Sequence, residues 1–132
     1  MVTKLPYRAI STRVADIFIR EDGILQFTFK DDIIIDAEDV VAMSGAVEEL
    51  TQKVKHPMLV VTGERNGTTR ASRNMSLKNT KERDYSLAEG IVINSFPTRI
   101  AANFFYKIYS PDHPYQMFKT EEEAVDWLKT FM

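Results

Sequence analysis

The sequence predicts an α/β fold: a mixed four- or five-stranded sheet opened by an N-terminal hairpin, with βαβ crossovers and about four helices. Three observations predict it. Two runs, "MLVVT" and "GIVIN", are apolar without polar alternation, as strands covered on both faces are. Segments with apolar residues every three or four positions lie between and after them. The region before them alternates with a period of two around a turn. At 132 residues and 44% hydrophobic content, the chain fits one domain over 1–132, with about 1–11 expected as a loosely ordered N-terminal arm.

Taken in order, "TRVADIFIR" (12–20) and "ILQFTFK" (24–30) alternate on either side of "EDG" and read as the hairpin. "DDIII" gives a short apolar run. Asp36 stands at a helix N-cap with Asp39 three residues on, so a helix is expected from Ala37, its apolar face formed by Val40, Met43, Val47, Leu50 and Val54. His56-Pro57 is expected to stop it, because a residue before proline avoids helical geometry. "MLVVT" follows as a central strand. A polar helix is predicted over about Ala71–Leu87, with Met75, Leu77, Tyr85 and Leu87 docking it shallowly. After "GIVIN", Pro97 suits the first turn of the next helix. Ile100, Ala101, Phe104, Phe105 and Ile108 then line one helical face. The periodicity assigns Phe104, Phe105 and Ile108 to the core, where Phe104→Ala would cost about 3–5 kcal/mol; the alternative is an apolar pocket beneath this helix. "YQMFK" reads as a last strand. Thr120 caps a final helix with Glu121, Glu122 and Glu123 in its first turn, and Trp127 is expected to pack on the sheet.

The formal charge of −2 supplies no general attraction to nucleic acid or an anionic membrane, and no run approaches the ~18 apolar residues of a membrane span. No nucleic-acid partner is expected: six basic residues fall between Arg65 and Arg83, but no aromatic is interleaved with them to stack on bases. The absence of cysteine excludes disulfides and thiolate ligands, and fits a reducing cytoplasm. His56 and His113 each precede a proline, far apart, and read as turn residues rather than metal ligands. No cofactor, metal or catalytic group is expected.

The stretch "VVTGERNGTTRASRN" (60–74) leaves a strand through two glycines into hydroxyls and arginines. It lacks the spacing and lysine of a nucleotide P-loop: only three residues separate Gly63 from Gly67, and Thr68 stands in the lysine position. What it offers is a helix N-terminus with Thr68, Thr69, Arg70 and Ser72, suited to capping, a bound anion or a phosphoryl group. A second group, Asn94, Ser95, Thr98 and Arg99, follows the other apolar strand. If those strands are parallel neighbours, both loops leave the sheet at one carboxyl edge, the usual α/β ligand position. Helix capping is the alternative for each group.

The order of elements, with "INSFPTRIAANFFYKIYSPDHPYQMFKTEEEAVDWLK", resembles small uncharacterised bacterial proteins of the STAS-like superfamily, which includes anti-sigma-factor antagonists and is akin to CRAL-TRIO lipid-transfer domains. The likeness spans about Gly23 to Phe131 and rests on Asn94, Ser95, Pro97, Arg99, Asn103, Phe104 and Phe105, then Phe118, Ala124, Trp127 and Leu128. It implies a mixed sheet with helices and no catalysis. In the antagonist branch a serine at this helix start is phosphorylated within Asp-Ser-Ser/Thr-Gly; here the turn reads "NGTTRAS", which places the equivalent on Thr68, Thr69 or Ser72 without the aspartate. The expected function is a non-enzymatic regulatory or protein-interaction module with an unknown protein partner, a homodimer being compatible. The alternative is a binder of small apolar, lipid-like or anionic ligands.

Overall fold

The computed structural model describes residues 8–82, 85–109 and 111–132. Its main sheet has six strands, one more than the upper expectation: β1 (Ala9–Ser11), β2 (Ala15–Ile19), β3 (Leu25–Phe29), β5 (His56–Val61), β7 (Ser86–Val92) and β8 (Tyr115–Phe118), in the order β1-β2-β3-β5-β7-β8. The extra strand comes from the expected arm, since Ala9–Ser11 pairs antiparallel with Asp16–Phe18. The predicted hairpin is β2–β3, closed by Arg20 and Gly23; β3, β5, β7 and β8 run parallel. Each parallel step is bridged by a helix, α1 (Ala37–Thr51), α2 (Arg70–Glu82) or α3 (Phe96–Tyr109), as crossover connections require. Two short strands, β4 (Ile34–Ile35) and β6 (Gly67–Thr68), form a parallel pair of their own, and α4 (Glu121–Leu128) closes the chain with a 3-10 turn over Lys129–Phe131.

Strand alternation assigns the two faces. Leu59 and Val61 of β5, with Ala88 and Val92 of β7 and Ile24, pack under Ala124, Val125 and Leu128 of α4. Trp127 joins this side half-buried, against Phe118 and Phe131. Gly90 lets α4 approach closely, since a Cβ there would lie 3.3 Å from Leu128 and 3.4 Å from Ala124. The opposite parity faces the other three helices: Leu25 and Phe27 pack with Ala46 and Leu50 of α1, whereas Ile91, Ile93 and Val60 meet Ala102, Phe105 and Tyr106 of α3. The result is one helix on one face of the sheet and three on the other.

The caps explain where the helices start. Asp36 accepts from Ala37 N at 2.8 Å, and Asp39 answers by accepting from Asp36 N at 2.9 Å. Arg13 reaches in from the hairpin and holds both Asp39 oxygens, at 3.0 and 2.5 Å, which keeps that carboxyl below its usual range. Thr120 accepts from Glu123 N, as its position implies.

Two boundaries and one buried face differ from the sequence reading. Helix α1 stops at Thr51, before the proline, because Gln52 and Lys53 turn left-handed (φ 52° and 63°) and Gln52 N bonds back to Glu48 O. Val54 therefore lies outside the helix, 59% exposed. Helix α2 ends at Glu82, and Leu87 belongs to β7, where Ser86–Glu89 pairs with His56–Met58. The third concerns α3: Phe104 is 68% exposed and Ile108 58%, whereas Phe105 and Tyr106 turn inward. The arc that meets the sheet is formed by Ala102, Phe105 and Tyr106, and Phe104, about 100° from Phe105 and about 200° from Tyr106, falls outside it. The core penalty expected for Phe104→Ala falls away with its burial.

Candidate functional site

The parallel strands β3, β5 and β7 deliver three loops to one carboxyl edge. The loop 62–69 is stitched to the loop 30–36. Gly63 N donates to Asn66 Oδ1 at 2.8 Å, and Asn66 Nδ2 donates to Lys30 O at 2.8 Å. Asp32 N meets Glu64 O at 2.8 Å, and Arg65 grips the Asp32 carboxylate through Nε and Nη2. That ion pair lowers the carboxyl pKa and raises the guanidinium's, mainly through their hydrogen bonds. Gly67 N and Thr69 N then donate to Ile33 O and Ile35 O, completing the β4–β6 pair. The glycine-and-arginine stretch that suggested a phosphate cradle thus spends its backbone and Arg65 on holding two loops together.

The candidate hydroxyls separate sharply. Thr69 donates to Asp36 Oδ1 at 2.8 Å and accepts from Ser72 N at 3.1 Å, so it caps α2 while leaning on the cap of α1. The Ala37 N–H first, and then this hydroxyl, hold the Asp36 carboxyl below its ordinary range. Ser72 is 2% exposed and donates to Thr69 O at 2.7 Å. Thr68 is exposed on β6; its carbonyl and hydroxyl oxygens accept from Arg73 Nη1 at 3.1 and 2.9 Å. Arg70 is exposed at the start of α2. On the third loop Ser95 is exposed, and its carbonyl accepts from Arg99 N at 3.0 Å; Thr98 and Arg99 are half-buried.

Thr68, Ser72 and Thr98 line one cavity of about 320 Å³ between the sheet and the three helices, together with Arg73 and Asn66. Ser95, Arg70 and Arg99 do not line it. Its floor and walls are Phe29, Val60, Ile91, Ala102 and Phe105. A second space of about 240 Å³ continues toward the amino ends of the strands, reaching Met58, Ser86 and Glu89. The two share Phe29, Val40, Met43, Val60, Ser76, Phe105 and Tyr106, and so adjoin one another in a trough along the sheet.

Two further features escaped the sequence reading. Glu89, 4% exposed on β7, accepts from Tyr106 Oη of α3, and its Oε1 lies 3.0 Å from Nε2 of His113, itself 8% exposed. His113 therefore serves a buried polar cluster rather than a turn alone; the signal was an acid inside an otherwise apolar strand run. His56 does the simpler work, its Nδ1 lying 2.9 Å from Gly23 O. The second feature is the outer line of α3: Phe96, Ile100, Phe104 and Ile108 follow one another at four-residue spacing and are 74%, 55%, 68% and 58% exposed. Arg99, Asn103 and Lys107 border this line, and α3 contains no acidic residue. Among the described residues there is no group of three or more metal-ligating side chains and no helix long and apolar enough to cross a membrane.

Residues 17–132 match the family described as a domain of unknown function, DUF7793. The chain belongs to that family. Among solved structures it is similar to an uncharacterised protein of the DUF3478 family with a SpoIIAA-like fold from Shewanella loihica PV-4: TM-score 0.63, 18% identity, 90% of this chain and 98% of that one covered. The fold is therefore STAS-like, as the C-terminal sequence resemblance implied. A protein of unknown function from Arthrobacter sp. FB24 is 25% identical over 92% of this chain and 97% of that one, with a TM-score of 0.34. A search of curated proteins finds no match.

Proposed function

We propose that this DUF7793 chain is a non-enzymatic regulatory module that docks a protein partner through the outer face of α3. The observation that carries this reading is the line Phe96, Ile100, Phe104 and Ile108, each more than half exposed. Large apolar side chains left in water along a single helical line are costly unless something covers them, and such patches mark interaction surfaces. The basic border of Arg99 and Lys107 selects a partner whose apolar groove is rimmed by acids.

Regulation is assigned to the neighbouring strand-end loop. Of the three candidate phosphorylation positions, Thr68 alone is exposed; the Thr69 hydroxyl is tied to Asp36, and Ser72 is buried. A phosphoryl group on Thr68 adds about −1.5 to −2 charges beside Arg73 and changes the sign of this part of the surface.

Immobilised wild type and an Ile100→Glu/Phe104→Glu double variant test the reading when used side by side to capture protein from native lysate. The wild type is expected to retain a partner that the double variant loses, with Thr68→Glu weakening retention. Thermal midpoints should stay close, because exposed substitutions shift stability by about 0.5 kcal/mol. Equal retention by the double variant would overturn the assignment of α3.

A further inference from the structure

The inner face of α3 supports an inference separate from its outer face. We propose that the trough between the sheet and α1, α2 and α3 is a binding site for a single-chain anionic amphiphile, a carboxylate or phosphate monoester, whose head lies at Arg73 and whose tail runs toward Glu89.

Size comes first. The wider part, about 320 Å³, falls at the lower end of the range of about 300–1,000 Å³ typical of small-ligand pockets. It adjoins the 240 Å³ part, with which it shares Val60, Met43 and Phe105. From Glu89 on β7 to Ile93 just beyond its end, the chain spans about 13 Å at ~3.3 Å per residue, enough for an extended decyl chain. Walls of Phe29, Val60, Ile91 and Phe105 suit an apolar tail rather than a compact polar metabolite.

Polarity then sets the direction. The wider part is lined by one cation, Arg73, and by no acid; around it stand the hydroxyls of Thr68 and Thr98 and the amide of Asn66. Arg73 gives Nη1 to Thr68, and among the described residues it pairs with no carboxylate. A guanidinium in this position can hold an anionic head, with strength beyond a neutral hydrogen bond. The other part is lined by no lysine or arginine, and its one carboxyl, Glu89, is already engaged by Tyr106 and His113, so it offers an anionic head no cation. The two ends therefore give an anionic amphiphile one orientation.

The test is native mass spectrometry of the full chain with four probes of equal tail: decanoate, decyl phosphate, decan-1-ol and decylamine. One-to-one adducts of decanoate or decyl phosphate are expected, the better of the two about tenfold tighter than decan-1-ol, with decylamine weakest. Which anion wins names the head group. Arg73→Gln should abolish the preference for the anion over the alcohol and leave alcohol binding unchanged. Ala102→Phe, which fills the trough from α3, should remove all binding. Because Arg73 is exposed, its variant keeps the test decisive even if Ala102→Phe fails to fold. Absence of any adduct, an amine bound as well as the anions, or an anion preference that survives Arg73→Gln would overturn the proposal. Ile100→Glu/Phe104→Glu should bind decanoate like wild type, so failure of the docking reading and failure of this one are separately visible.

Discussion

Leu59→Ala is expected to lower stability by about 2–5 kcal/mol, the largest effect foreseen for a single truncation in this chain. Leu59 lies in the middle of a strand with neighbours on both sides, β3 and β7, and is fully buried. Its side chain packs in the cluster that joins Ile24 of the hairpin, Ala88 and Val92 of β7, and the inner face of α4. Removing three carbons there leaves a cavity between a sheet and a helix already in close contact at Gly90, so little collapse is available to relieve it. Urea titration followed by far-ultraviolet circular dichroism measures the loss; a midpoint unchanged from wild type would mean that α4 does not cover this face. Since the trough and the outer line of α3 lie on the other face, capture of a partner by the surviving folded fraction should be preserved.

Gly63→Ala should be the most damaging change in the loops, with a loss of about 1–3 kcal/mol. A Cβ on Gly63 would lie 2.5 Å from Lys30 O, 2.8 Å from Lys30 C and 2.9 Å from Phe29 O. All three are backbone atoms of the adjoining strand end, and none can rotate away as a flexible side chain would. Relief requires the two strand ends to separate, which strains the Gly63–Asn66–Lys30 hydrogen bonds and the β4–β6 pair beyond them. The consequence reaches the site, because β6 carries Thr68 and leads into the cap at Thr69. Thermal melting reads the stability, and loss of anion preference among the decyl probes reads the misplaced loop. A variant with the wild-type melting midpoint would show that residues 30–36 and 62–69 are not held together as described.

Much of this architecture is written in local signals, which is why it was legible. Asp36 and Thr120 announce helix starts because a cap needs only its own side chain and the next few backbone N–H groups. The uninterrupted apolar runs around Leu59 and Ile91 mark strands with helices packed on both faces. Harder to read was anything decided between distant segments. "SLAEG" contains good helix formers, and pairing with His56–Leu59 overrides that preference to extend β7. In α3 the apolar residues cover more than half the circumference, and the sequence does not state which arc meets the sheet; the sheet takes Ala102, Phe105 and Tyr106 and leaves Phe104 outside. The Glu89 cluster draws on β7, α3 and the segment before β8, so no spacing rule could assemble it. The hydroxyl-and-arginine loops were recognised individually. Only the tertiary structure sets Thr68, Ser72 and Thr98 around one cavity and separates the exposed threonine from the buried serine.

Carbene footprinting of the full chain, free and in complex with its captured partner, tests most directly the proposal that a partner docks on the outer face of α3. In the free protein Phe96, Ile100, Phe104 and Ile108 should label strongly, as their exposure of 55–74% requires. In the complex those four should lose label together while Ala9–Ser11, at the β1 end of the described sheet, keeps it. Undiminished labelling of the α3 line, with protection moved to the β1 edge, would contradict the account and indicate docking by strand addition instead.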